Sequence, residues 1–140
     1  MNVEERILGQ HRKLLYWTYV RDLKTHGKRG LYGWHATNIE LHVIAVCLVY
    51  AILRAFFEPV PSGIGAALFA SHPMATAAVA SISGRSSLLC GVFYLGGITA
   101  ALIGGPAWLL VPVFFYCGWL SKQEILMLPI TIMLMLWIIH

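Results

Sequence analysis

The chain has 140 residues, 59% of them apolar and 11% charged, and its formal net charge is +4. Soluble domains run nearer to 45–50% apolar and about 25% charged, so a water-soluble globule, a disordered tail and a collagen-like rod are excluded. The composition predicts an integral membrane protein of the all-α, polytopic helical class.

The charge sits at one end. Within residues 1–36, Arg6, Arg12, Lys13, Arg21, Lys24, Lys28 and Arg29 face only Glu4, Glu5 and Asp22. Beyond them, Arg54, Arg85 and Lys122 are matched by Glu40, Glu58 and Glu124. The whole net charge therefore belongs to the N-terminal arm. Positive flanks ahead of a first span stay on the cytoplasmic or matrix side, and they attract anionic lipid headgroups. That topogenic role accounts for the charge, and nucleic acid is not expected as a partner. Ile7, Leu8, Leu14, Leu15, Val20 and Leu23 recur at helical spacing between the cations, which predicts an amphipathic helix over 3–25 lying in the headgroup layer. No secretory signal precedes the first apolar run, and the acids in the arm are unlike a transit peptide.

The loop 27–34, with three glycines, is expected to turn the chain toward the bilayer. Thr37-Asn38-Ile39-Glu40 has the form of a capping box ahead of an apolar run, so a first span is expected from there to about Phe57. At 1.5 Å per residue it matches the hydrocarbon thickness. Residues 61–84 are rich in Ala and Gly and are interrupted by His72-Pro73. They read as a pair of short interfacial helices rather than a crossing. A second span covers 86–105. Its residues Gly97, Ala101, Gly105 and Gly96, Ala100, Gly104 repeat at i, i+4, i+8, the spacing that lets helix backbones approach. That face is expected to pack on another helix, while Gly104-Gly105-Pro106 also forms a tight turn. Apolar stretches 107–120 and 125–140, each with an early proline, complete an expected four transmembrane helices, or five if 61–84 crosses. Two units result: a basic arm, 1–36, and a transmembrane domain, 37–140.

Ionisable residues inside a membrane mark transport or proton transfer because they are costly there, and the deep parts of these spans hold none. His42 and His72 lie at span ends, away from the facing positions that heme ligation takes. Cys47, Cys90 and Cys117 have no metal-ligand spacing and read as small buried hydrophobes. No nucleophile with a base, phosphate loop or paired carboxylates is present. No metal or other cofactor is expected, and no enzyme.

One polar stretch stands out, Ser81-Ile82-Ser83-Gly84-Arg85-Ser86. Ser81 and Arg85 are four residues apart at the opening of a helix and can share one face. The stretch resembles the Ser-Ile-x-His-Arg-x-Ser/Thr-Gly segment of the cytochrome b anchor subunit of succinate dehydrogenase, though Gly84 stands where that family has His and no later span carries a heme-ligand His. The resemblance implies that Ser81 and Arg85 hold a quinone head. The chain is thus expected to be a non-catalytic accessory subunit of a larger membrane complex, most naturally a respiratory one in the mitochondrial inner membrane, with other membrane subunits as partners. A quinone-site anchor subunit is the alternative, and a component of a bacterial secretion or transport machine in the plasma membrane the next.

Overall fold

The computed structural model describes residues 30–81 and 84–139, with side chains over 35–81 and 84–138. The amphipathic helix expected over 3–25 lies outside the described residues. Everything regular among the described residues is helical: α1 (Gly30–Arg54), α2 (Pro59–Ser71), α3 (Pro73–Ala80), α4 (Arg85–Ile103), α5 (Val111–Trp119) and α6 (Leu128–Ile139). Short 3-10 turns, Gly105–Leu110 and Gln123–Met127, lead into α5 and α6.

Two helical stretches, His35–Arg54 and Arg85–Ile103, are long and apolar enough to cross a membrane. The all-helical class and two candidate spans agree with the composition. Prolines punctuate the rest. Pro59, Pro61, Pro73, Pro106, Pro112 and Pro129 all fall within the first three residues of a helical segment, where a missing N–H leaves no intrahelical bond unmade.

Two expectations about α1 change. Its helix is already running at Gly30, so residues 30–34 do not form a loop and Thr37-Asn38-Ile39-Glu40 is not a helix start. Thr37 and Asn38 are 4% and 1% exposed; their polarity serves tertiary contacts. At the far end, Arg54 Nη1 donates to the Phe57 carbonyl at 2.6 Å, closing the turn after the helix. A cation near a helix C-terminus also complements the helix dipole.

The helices α2 and α3 fold back on α1. Gly65 faces Leu53 near the end of α1, His42 Nε2 donates to the Ala70 carbonyl at 3.2 Å, and Asn38 reaches Val79. These contacts lay α2 and α3 antiparallel along α1 over its length, with a 49° bend at the break. His72 makes that break: its backbone is extended, its N–H donates to the Phe69 carbonyl, and its Nδ1 accepts from the Met74 N–H at 3.3 Å. One residue thus closes α2 and caps α3.

The core lies between α4, α5 and α6. Ile98, Ala101, Ile125, Leu128 and Ile132 are its buried centre. Gly97 makes room for Leu128, since an added Cβ would stand 2.8 Å from Leu128 Cδ2, and Gly96 makes room for the Phe114 ring. Gly118 does the same for Ile125. Of the three cysteines, Cys90 is buried, Cys117 is half-buried and Cys47 is exposed, so the expectation that all three are buried is corrected for Cys47.

Candidate functional site

The largest concentration of buried polarity among the described residues is where the first half of α1 meets the start of α4. Arg85, the first residue of α4, is 2% exposed. Its Nε donates to Asn38 Oδ1 at 3.2 Å. Asn38 Nδ2 donates in turn to the carbonyls of Val79 and Ser81, at 3.1 and 3.2 Å. Those carbonyls lie at the C-terminal end of α3, where helix carbonyls run out of intrahelical donors, and the Ser81 carbonyl also accepts the Gly84 N–H at 3.2 Å. The Asn38 amide therefore stands between a permanent cation and the negative end of a helix, with its dipole oriented favourably toward both. Asn38 uses both amide hydrogens and its oxygen, so its hydrogen-bonding capacity is well matched to this corner.

The chain between α3 and α4 is held just as tightly. The Gly84 N–H donates to Ser81 Oγ at 2.8 Å. A Cβ at Gly84 would lie 2.1 Å from the Ala78 carbonyl oxygen, a backbone atom that cannot yield cheaply. Only glycine permits this approach. The turn after α5 reaches the same end. Lys122 Nζ donates to Ser87 Oγ at 3.2 Å and pairs with Glu124 Oε1 at 2.6 Å.

The residues singled out in the sequence are distributed as follows. Ser81 and Arg85 meet at one corner through Asn38. Ser81 accepts the Gly84 N–H and Arg85 engages Asn38, so both side chains knit helices together there. Gly96, Gly97, Ala100 and Ala101 are buried on α4. Gly104 and Gly105 differ: their φ angles are 74° and 53°, and an added Cβ would meet nothing within 4 Å. They turn the chain out of α4 and do not continue the packing face. Asn38, Gly84 and Gly118 were missed as site or packing residues. The signal for Asn38 was present, a polar pair facing an apolar run, but it also fits a cap. Among the described residues no group of three or more metal-ligating side chains occurs.

Against known proteins, no family model and no solved structure matches the chain. Curated relatives do. Over 88 residues, 62% of this chain, it is 42% identical to the protein O-mannosyl-transferase Tmtc2 of Drosophila melanogaster. It is 34% identical over 92 residues, 63% of the chain, to the protein O-mannosyl-transferase F38B6.6 of Caenorhabditis elegans. It is 38% identical over 77 residues, 45% of the chain, to the human protein O-mannosyl-transferase TMTC4. These matches cover 9%, 13% and 10% of the relatives, so the chain spans a small part of their length.

These likenesses overturn several expectations. The chain resembles glycosyl-transferring proteins of animals, which corrects the assignment to a respiratory-chain or secretion-machine subunit and, with it, the quinone-anchor alternative. The mitochondrial inner-membrane location, the bacterial plasma-membrane alternative and the electron-transport role fall with it. The expectation of a non-enzyme is corrected too, because every relative named above is a transferase. The physical reason for the error is size: a stretch that matches about a tenth of those relatives need not carry the motif that does their chemistry.

Proposed function

We propose that this chain is the membrane-embedded helical part of a protein of the O-mannosyl-transferase kind, and that its polar corner at Asn38, Ser81 and Arg85 fixes helix ends at the edge of the membrane where transfer takes place. The observation that carries this reading is the 42% identity over 88 residues to a named transferase. Mannosyl transfer to a protein hydroxyl breaks the bond between an anomeric carbon and its leaving group and forms one to a Ser or Thr oxygen. A rigid corner suits that chemistry because small misplacements of reacting atoms are expensive in rate. The test is to disrupt the gene that encodes this chain and quantify mannose on Ser and Thr across membrane and exported proteins. A defined set of sites losing the sugar supports the reading; an unchanged set contradicts it.

The topology proposed with this function has five passes: α1, the bent pair α2–α3, α4, the stretch Gly105–Trp119 and the stretch Gln123–Ile138. The support is geometric. Asn38, in the first half of α1, binds Arg85 at the start of α4, Lys122 meets Ser87 at that same end, and Glu58 lies at the other. The last two stretches are short for a crossing and need local thinning or burial against further helices. Five passes put Glu58 and Glu124 on opposite sides of the membrane, whereas four put them on the same side. Single Glu58→Cys and Glu124→Cys variants, labelled with an impermeant maleimide from one face, decide it: five passes predict that only one reacts. The arm at 1–36 is proposed to meet anionic headgroups, and the exposed apolar faces other membrane helices.

A further inference from the structure

We infer that the groove between α1, α3 and α4 holds one acyl chain of a membrane glycerophospholipid, with the lipid phosphate at Lys122. This rests on the membrane placement proposed above and not on the transferase assignment. The groove has a volume of about 270 Å³. Its walls are held apart by small residues: Ala45 on α1, Ala75 and Ala78 on α3, and Gly91 on α4. His42, His72 and Ser87 also line it, but His42 is bonded to the Ala70 carbonyl and His72 to the Met74 N–H. Protein interiors are normally close-packed, and a gap of this size whose remaining lining is apolar is filled by hydrocarbon in preference to water.

The direction of the occupant follows from the two ends. Ser87, on the first turn of α4, lines the groove, and Lys122 Nζ lies 3.2 Å from Ser87 Oγ. An ammonium 40% exposed therefore stands within one hydrogen bond of the groove wall, at the polar end of the bundle. Leu95 lines the other end, about 12 Å deeper at 1.5 Å of rise per residue. A phosphate at Lys122 and a tail running along α4 from Ser87 toward Leu95 match this gradient from charged to apolar. Glu124 is the competing anion. Its carboxylate is 67% exposed and free to swing away, so the lipid phosphate takes its place on Lys122.

The experiment is native mass spectrometry of the full chain, purified in mild detergent and exchanged into vesicles of phosphatidylcholine and phosphatidylglycerol. Wild type is expected to retain one phospholipid. Gly91→Leu should fold, because an added Cβ there meets nothing within 4 Å, and a melting curve checks this. It fills the groove and should lower retention about tenfold, the effect of excluding about two methylenes. Lys122→Met should also weaken retention and remove any preference for phosphatidylglycerol, while Glu124→Gln should strengthen it. Equal retention by wild type and Gly91→Leu overturns the proposal. So does the absence of bound lipid, or a dimer of this chain that Gly91→Leu abolishes.

Discussion

Asn38 is the residue on which the polar corner depends. Truncating it to Ala removes three hydrogen bonds at once: the Arg85 guanidinium loses its bond at Nε, and the carbonyls of Val79 and Ser81 lose the amide donor, while Ser81 keeps the Gly84 N–H. The loss of three buried hydrogen bonds, one of them to a charged group, should destabilise the fold by about 2–4 kcal/mol, read as a lower midpoint in detergent unfolding. Asn38→Asp separates the two halves of the role. It keeps an acceptor for Arg85 but removes both donors and sets a carboxylate against two carbonyls, so it should not restore stability. Full rescue by Asp would show that the contact to the end of α3 is unimportant. By comparison, Tyr94→Phe removes a single link between α4 and α6, the bond to Thr131. Intramembrane hydrogen bonds of this kind average about 0.6 kcal/mol, so its effect should be several times smaller. Gly84→Ala belongs with the large effects: its methyl would collide with the Ala78 backbone, and the measured outcome should be loss of folded protein.

At the scale of elements, α4 is the axis of the bundle. Gly97→Leu drives a branched side chain into the space of Leu128 and should cost about 1–3 kcal/mol, as overpacking does in cores. Gly104→Leu tests a different property, since nothing crowds that position and the difficulty is φ of 74°. The two glycines share a spacing and a helix, and the sequence alone does not separate packing from turning except through Pro106, two residues after Gly104. The long apolar runs of α1 and α4 were legible because hydropathy and length suffice to find them. The start of α1 was not. Thr37 to Glu40 has a cap's local pattern, and nothing local reveals that Asn38 is claimed by Arg85, 47 residues away. The direction of α2–α3 was hidden for a related reason. Ala and Gly insert weakly, so composition suggests an interfacial pair and is silent on the contacts with Leu53, His42 and Asn38 that lay it along α1. The pairing of Ser81 with Arg85 was visible as a spacing, but the third member, Asn38, came only with the fold.

For the whole molecule, composition was informative about class and silent about chemistry. The absence of a nucleophile, a phosphate loop and intramembrane ions pointed away from an enzyme, but the named relatives are many times longer than the aligned stretch. Function in such a protein is divided between the reacting groups and the scaffold that holds them, and the Asn38–Arg85 corner is the kind of preorganised joint that a scaffold supplies. The most direct test of this account is mannose incorporation into a Ser/Thr-containing acceptor peptide by membranes from cells making this protein. Membranes from cells lacking it and from cells making the Asn38→Ala variant serve for comparison. Transfer that requires the protein and falls in the Asn38→Ala membranes, at equal protein level, is the predicted result. Transfer that is the same with and without the protein would contradict the account.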